Sequence, residues 1–195
     1  VGLTISKQQA AWGRDRCSEL PVQFELMDYR NFNRDGFQKF DRIASVGMFE
    51  HVGYKNYLPF FEVVKRSLKK EGLFLLHTIG RNASQYPLDP WVNKYIFPNG
   101  ELPSVKDMAE FSEPFFLIED LHNFGADYDK TLLAWYQRFD ASWPMIRHNY
   151  NERFYRMWRY YLLACAGNFR ARGIQLFQAV FSHRGIPGGY SRPVF

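Results

Sequence analysis

Leu73–Ile79 reads LFLLHTI, a short run that is apolar at nearly every position. A strand with one face in water alternates apolar and polar residues, whereas a continuous apolar run is typical of a strand buried on both faces. Such a strand lies in a sheet that is covered on both sides by helices. The run therefore favours an α/β fold.

Strand and helix patterns alternate around this run, which predicts a mostly parallel sheet. Ser6 is the expected N-cap of the first helix, with Gln9 placed as in a capping box. Gly72 is expected to close the helix before Leu73. We predict strands at Val1–Ser6, Val22–Met27, Asp41–Val46, Leu73–Ile79, Phe115–Asp120 and Ile174–Ser182, and helices at Lys7–Glu19, 54–70, Tyr128–Trp143 and Asn149–Phe169.

Residues 80–113 do not fit this alternation. Four prolines stand there among aromatic residues, and the segment is longer than an ordinary connection. We interpret it as a functional insert or lid.

Composition limits the class of protein. The 195 residues are 46% apolar and 18% aromatic, which argues against disorder. No apolar run approaches the roughly 18 residues of a membrane span. Cys17 and Cys165 provide neither a disulfide framework nor a metal-binding spacing, and they fit a reduced cytosolic compartment. The net charge of +5 is compatible with nucleic acid, with an anionic membrane surface, or with neither partner.

Residues 147–172 interleave arginines with aromatic residues. This pattern has three interpretations: a single-stranded nucleic-acid surface, an anionic lipid interface, or a core helix with a solvated arginine face. Its arginines are Arg147, Arg153, Arg156, Arg159, Arg170 and Arg172.

Polar residues follow several of the predicted strands. Ligands of open α/β sheets bind beyond the carboxyl ends of the strands, so these residues are expected to converge at one edge. Each also has a structural alternative, such as a solvated turn, a helix cap or a buried structural histidine. The candidates are Thr4, Ser6, Asp28, Tyr29, Arg30, Glu50, His51, His77, Ile79, His122, Asn123 and Tyr128.

Glu50 and His77 are the pair most suited to chemistry. A carboxyl group beside an anion has its pKa raised and can then donate a hydrogen bond. A histidine can donate from one ring nitrogen while the other is held in place. The pair could therefore hold a small basic oxyanion, and the absence of His/Cys clustering assigns no metal.

Seven segments together resemble the cyclopropane-fatty-acyl-phospholipid synthases. The likeness extends from residue 1 to about residue 182. The segments are VGLTIS, DRIASVGMFEHVG, KNYLPFF, GLFLLHTIG, DPWVNKYIFPNGELPS, EDLHNFGADYDKTL and LLACAGNFRARGIQLFQAVF.

The resemblance implies a Rossmann-like class I methyltransferase sheet, mostly parallel with an antiparallel last strand. It implies transfer of a methylene group from S-adenosylmethionine to the cis double bond of a phospholipid acyl chain, with bicarbonate as the base. The bicarbonate ligands carried over are Glu50, His77, the backbone at Ile79, and Tyr128. The cofactor-binding residues carried over are Thr4, Gln9, Asp28, Tyr29, Arg30, Val46 and Gly47.

Parts of the family pattern have no counterpart in residues 1–195. These are the first strand with its glycine-rich loop, a cysteine-bearing segment before it, and an accessory domain. We therefore expect a partial catalytic domain, the carboxyl-terminal part of a synthase, that binds the cofactor poorly by itself.

Two other functions remain open: a related methyltransferase that leaves a methyl branch, and a non-catalytic basic module. We expect a cytoplasmic protein that associates peripherally with a phospholipid membrane and does not bind nucleic acid. A homodimer is left open.

Overall fold

The structure is a computed structural model that describes residues 1–33, 35, 38–84 and 88–193. Within these residues the strands are β1 (Gly2–Thr4), β2 (Phe24–Leu26), β3 (Phe40–Val46), β4 (Leu68–Arg81), β5 (Leu117–Asn123) and β6 (Ile174–Ser182); the helices are α1 (Lys7–Arg16), α2 (Tyr57–Ser67), α3 (Pro90–Tyr95), α4 (Val105–Ser112), α5 (Gly125–Ile146) and α6 (Glu152–Arg170). Short 3-10 turns lie at Tyr29–Asn31, Phe49–His51, Tyr54–Asn56 and Arg147–Asn149.

The main sheet has the strand order β3-β4-β6-β5. Strands β3 and β4 are parallel, and β6 is antiparallel to both β4 and β5. Three of the four strands therefore run in one direction, which confirms a mostly parallel sheet with an antiparallel last strand.

Strands β1 and β2 form a separate two-stranded parallel sheet. We predicted a sheet that lacks its first strand, and the described strands form two separate groups. The physical reason is that no described strand lies between β1 and β3 to carry hydrogen bonds across.

The start of α1 shows how local hydrogen bonds fix a helix end. The Ser6 hydroxyl accepts from the Gln9 backbone N–H at 3.2 Å, which confirms the predicted N-cap. In a capping box the Ser6 N–H would also donate to the Gln9 side chain. Here it donates to the Thr4 hydroxyl instead, at 3.1 Å. The same hydroxyl donates to the Gln9 side-chain oxygen at 2.7 Å. Thr4 thereby joins the end of β1 to α1.

The boundary between α2 and β4 was predicted wrongly. The helix ends at Ser67 and the strand begins at Leu68, so Gly72 lies inside β4 and does not cap a helix. Leu68 has an extended backbone, pairs with Phe40, and is buried in the core. The helical spacing of apolar residues continued through Leu68 because a buried strand residue and a last helical residue look alike in sequence.

Other boundaries shift by a few residues. Strands β1 and β2 are shorter than predicted, and β5 begins at Leu117 and extends to Asn123. Helix α5 begins at Gly125 and α6 at Glu152, where Asn151 caps the first turn. Only β6 has the predicted bounds.

Apolar clusters lie on both faces of the main sheet, as the run at Leu73–Ile79 predicted. On β6, the alternating residues Phe177, Ala179 and Phe181 join the cluster beneath α2 and α4. Leu176 joins the cluster beneath α5 and α6. The period-2 alternation of a strand thus divides one segment between two cores.

The predicted insert at 80–113 contains α3 and α4, and its residues 85–87 lie outside the described part of the chain. In α4, Met108 is buried in the cluster beneath α2, and Ser104 and Asp107 form a capping box. The segment around α4 therefore belongs to the core. Whether α3 acts as a lid stays a prediction.

Leu76→Ala tests the packing of β4. Leu76 is fully buried beneath α2, so the truncation should lower the free energy of unfolding by about 2–5 kcal/mol. Leu20→Ala is the matched control, because Leu20 is exposed and its truncation should cost less than about 0.5 kcal/mol. Urea unfolding followed by circular dichroism measures both. Equal losses would contradict the packing described here.

Candidate active site

Glu50 lies in a short turn directly after β3. Gly47 makes the turn possible with a φ of +63°, and the buried ring of Phe49 stacks on Tyr57 with centroids 4.2 Å apart. Glu50 is 8% exposed, and its Oε1 accepts from the Ile79 backbone N–H at 2.7 Å. Its Oε2 is buried and has no hydrogen-bond partner among the described residues. A buried carboxylate oxygen is costly unless a donor meets it, so Oε2 marks a ligand position.

His77 is oriented from the sheet. It lies on β4 opposite Val46, and its Nδ1 is 2.9 Å from the Gln178 side-chain nitrogen on β6. With this amide as the donor, Nδ1 accepts and the neutral ring carries its proton on Nε2. Burial lowers the pKa of His77, and the charge of Glu50 opposes that shift only in part. The imidazole is therefore a neutral donor near pH 7.

Tyr128 is presented from the start of α5. Its ring packs edge-on against Phe169, with centroids 5.0 Å apart, and against Trp135. Burial raises the pKa of Tyr128, and the negative charge of Glu50 raises it further. The phenol therefore stays protonated and can donate.

These residues place one free acceptor oxygen near two potential donors. The negative charge of Glu50 acts to raise the pKa of both His77 and Tyr128, although the three residues come from separate elements. A hydrogen bond joins Glu50 to Ile79, and the charge of Glu50 acts on His77 and Tyr128. That the four residues together bind an anion stays a prediction. The amide of Ile79 is already used by Glu50, so it positions the carboxylate.

Val46 and Gly47 lie at the rim of the same edge. The Gly47 N–H donates to the His77 carbonyl at 3.0 Å. Val46 is 66% exposed, and a Cβ at Gly47 would meet no atom within 4 Å. Val46 therefore ends a strand that is itself mostly exposed, and its cofactor-facing role stays a prediction.

The other predicted cofactor residues form a second cluster, beside β1 and β2. Thr4 and Gln9 are joined to each other. The Arg30 guanidinium donates to the Asp28 carboxylate at 2.6 and 3.0 Å and lowers the pKa of Asp28. Tyr29 packs edge-on against Phe60 of α2. This cluster contacts α2, and no hydrogen bond given for the described residues links it to Glu50.

Arg66 holds the loop after Arg30 and was not predicted from sequence. From the end of α2 it donates to the backbone carbonyls of Arg30 (3.1 Å), Phe32 (2.9 Å) and Asn33 (3.1 Å). Asn33 also bonds to the buried Ser67 hydroxyl at 3.0 Å. Contacts over more than 30 residues leave no local pattern, so the sequence offered no signal for this role.

Several other candidates have structural roles. The rings of His122 and Phe124 are in contact, with centroids 3.8 Å apart. The Asn123 side-chain amide donates to the Gln175 side-chain oxygen at 3.1 Å. Ser6 is a helix cap. No group of three or more His, Cys, Asp or Glu suited to a metal ion occurs within the described residues.

His51 lies on the outer side of the Glu50 turn. Its ring is edge-on to Phe97, with centroids 5.7 Å apart, and Phe97 contacts Tyr161 of α6 at 5.9 Å. Cys165 of α6 packs against the second core, and burial raises the pKa of its thiol to about 11. An aromatic wall thus connects the turn to α6.

Helix α6 fits the interpretation of residues 147–172 as a core helix with a solvated arginine face, while a lipid or nucleic-acid partner stays a prediction. One side packs in the second core through Leu162 and Trp158. Arg170 pairs with Asp129 at 2.9 Å, and Arg159 lies over the Tyr136 ring. None of the helices in the described ranges is both long and apolar enough to cross a bilayer.

His77→Gln tests the half-buried neutral imidazole. Because burial lowers the pKa of folded His77, the unfolded chain takes up the proton at higher pH. His77 should therefore make the free energy of unfolding fall as pH drops below about 6.5, with no such loss above it. In His77→Gln this decrease of the unfolding free energy with falling pH should be absent. Urea unfolding between pH 8 and 5 measures it. His148→Gln, at an exposed site, controls for removing an imidazole. Identical slopes in His77→Gln and the unaltered protein would contradict the assignment.

Comparison with known proteins places the chain in a family. The chain is 61% identical over 189 residues to the cyclopropane-fatty-acyl-phospholipid synthase of Escherichia coli strain K12, covering 97% of this chain and 48% of that protein. The cyclopropane synthase MmaA2 of Mycobacterium tuberculosis superposes with a TM-score of 0.82 at 28% identity, over 92% of this chain and 68% of the other. The mycolic acid cyclopropane synthase CmaA1, solved with SAH and CTAB, gives 0.80 at 28% identity over the same shares.

The chain spans about half the length of the curated relative from E. coli. The family model described as mycolic acid cyclopropane synthetase matches residues 1–179. The chain therefore belongs to the mycolic acid cyclopropane synthetase family, within the fold of the S-adenosylmethionine-dependent methyltransferases.

Proposed function

We propose that the protein to which this chain belongs transfers a methylene group from S-adenosylmethionine to the cis double bond of an unsaturated phospholipid acyl chain, with bicarbonate as the base. The observation that carries this proposal is the buried Glu50 Oε2 at the end of β3. It has no hydrogen-bond partner among the described residues, and the charge of Glu50 acts on two potential donors, His77 and Tyr128. Membership of the family and 61% identity to a synthase of this type support it.

The donor set suits bicarbonate. Bicarbonate has one hydroxyl donor and further oxygens that only accept. Glu50 Oε2 would accept from the hydroxyl, while His77 and Tyr128 would donate to the remaining oxygens. Burial keeps His77 neutral and Tyr128 protonated near pH 7, so both retain their protons for this purpose.

The open edge suits S-adenosylmethionine. Val46 and Gly47 would face its sulfonium end, because they lie beside His77 next to open space. Thr4 and Gln9 would meet the methionine and ribose parts, and the Asp28–Arg30 turn would meet adenine. CmaA1 has been solved with SAH, which supports the same ligand class here.

In this proposal Glu50 would act as a hydrogen-bond acceptor, and His77 and Tyr128 would act as hydrogen-bond donors. Bound S-adenosylmethionine supplies the methyl group, which leaves sulfur and bonds to one alkene carbon. The second alkene carbon becomes cationic, and loss of a proton from the new methyl group closes the ring. Glu50, His77 and Tyr128 would hold the base that takes this proton.

Glu50→Gln tests the site. The substitution keeps the size of the side chain but replaces one acceptor-only carboxylate oxygen with an NH₂ donor. We expect methylene transfer to fall by roughly 10²- to 10³-fold, as for loss of one key polar group in an active site. Labelled S-adenosylmethionine and phospholipid vesicles, with the full-length protein, measure the rate.

Glu62→Gln is the control, because Glu62 is an exposed carboxylate on α2. Binding of S-adenosylhomocysteine by calorimetry should be unchanged in both variants. Full transfer activity in Glu50→Gln would overturn the proposal. Mass spectrometry and proton NMR of the product together separate the alternatives. A gain of CH₂ with cyclopropane proton signals gives the ring. A gain of CH₂ with a retained alkene, or of CH₂ plus two hydrogens, gives a methyl branch, and no gain indicates a non-catalytic module.

The partner and location follow as proposals from the same function. A phospholipid substrate places the protein at a membrane surface from the cytoplasmic side, as a peripheral protein. The net charge of +5 and the arginines of α6 support binding to anionic lipid. Self-association as a homodimer is testable by light scattering.

Arg66→Ala tests the second cluster. Arg66 holds three carbonyls of the loop that would meet adenine, so its loss should loosen that loop. We expect KM for S-adenosylmethionine to rise about tenfold, equivalent to losing roughly 1.5 kcal/mol of charged hydrogen bonding, with a smaller change in kcat. Arg66→Lys should recover part of the effect, and Lys65→Ala, on the exposed face of α2, should have none. A change in kcat alone would be evidence against this role.

A further inference from the structure

A pocket between α3 and α6 lies outside the site described above. It has a volume of about 310 Å³ and is open to solvent. Trp91 of α3 meets Tyr160 of α6 edge-on, with ring centroids 4.6 Å apart. The lining residues are Trp91, Tyr95, Arg153, Arg156, Met157 and Tyr160.

The α6 side of this pocket is a single helical face. Arg153, Arg156, Met157 and Tyr160 are spaced at i, i+3, i+4 and i+7, which places them together along the helix. The opposite side of α6 packs in the second core through Leu162. The two arginines therefore point away from the core and toward α3.

Both guanidinium groups are available for a ligand. Arg159 and Arg170 of the same helix are engaged with an aromatic ring and a carboxylate. Within the described residues, neither Arg153 nor Arg156 makes an ion pair or a side-chain hydrogen bond. Both are exposed. Lys94 lies over the Tyr95 ring at 5.3 Å and adds a third cation beside the pocket. The pocket thus combines concentrated positive charge with aromatic faces.

We propose that this pocket binds the phosphodiester headgroup of a glycerophospholipid. Paired guanidinium groups suit phosphate oxygens. The half-buried Trp91 ring and the exposed Tyr95 and Tyr160 rings suit the headgroup depth of a bilayer. The proposal rests on the proposed function, because it assigns the headgroup end of that lipid substrate.

The position of the pocket supports this assignment. Tyr161, the residue after Tyr160, contacts Phe97, which contacts His51 beside Glu50. The charged pocket therefore lies beside one end of the aromatic wall, and the Glu50 turn lies beside the other end. A lipid with a polar head and an apolar chain has the same order of groups.

The test compares two double variants of equal charge in the full-length protein. Arg153→Gln/Arg156→Gln should weaken binding to vesicles of phosphatidylglycerol and phosphatidylcholine by roughly 30-fold, because each basic residue near an anionic surface contributes about fivefold. Lys65→Gln/Lys106→Gln removes the same charge from α2 and α4 and should change binding by less than about threefold. Vesicle co-sedimentation measures both. Equal weakening in the two variants would overturn the proposal, since it would show only the effect of net charge.

A soluble probe separates headgroup recognition from membrane charge. Dihexanoyl-phosphatidylglycerol below its micellar concentration should change tryptophan fluorescence in the unaltered protein and not in Trp91→Phe. Arg153→Lys/Arg156→Lys keeps the charge but loses the planar fork, so it should bind vesicles normally and the soluble lipid poorly. Tighter binding of a single-stranded oligonucleotide through the same two arginines would refute the lipid assignment.

Binding of S-adenosylhomocysteine, measured on every variant, keeps the two proposals distinguishable. If the arginine variants bind this nucleoside and lipid normally, the headgroup site is wrong and the proposed function stands. If methylene transfer fails in the unaltered protein while the soluble lipid still binds at the pocket, the proposed function is wrong and the pocket is a lipid site of another kind.

Discussion

The hydrogen bond from the Ile79 backbone N–H to Glu50 Oε1 is the interaction on which the candidate site depends. It connects the turn after β3 to the end of β4, and it satisfies only one of the two carboxylate oxygens. The second oxygen stays buried without a described partner. A fold retains a buried, half-satisfied carboxylate at a cost in stability, so its presence at the carboxyl edge of two parallel strands indicates a use.

The surrounding elements keep that carboxylate in place. Phe49, directly before it, is buried in the aromatic cluster beneath α2, so the turn cannot move without disturbing the core. On the other face of the sheet, α5 and α6 present Tyr128 and the aromatic wall. The site is therefore built where the two cores meet at the edge of the sheet, while the β1–β2 unit carries the second cluster and is held to α2 through Tyr29 and Arg66.

Periodicity predicted much of this fold. The apolar run of β4 indicated helices on both faces of the sheet, and β6 was placed with its observed bounds. The helical spacing that ran through Leu68 misplaced the end of α2, because periodicity does not distinguish a buried strand residue from a helical one. Periodicity did not show that the strands divide into two sheets, because hydrogen bonding between strands depends on which edges lie side by side, and local sequence does not encode that.

The sequence by itself determined the residue types and the order of the site: a carboxylate after one strand, a histidine in the next, a tyrosine at the start of a helix, and the resemblance that connected them. Only the tertiary structure decided which of their atoms are free. Ile79 proved to be occupied by Glu50, Asp28 by Arg30, and Arg66 proved to hold a loop more than 30 residues away. The physical reason is that a hydrogen bond is used up by its partner, and the partner is chosen by distance in space rather than by position along the chain.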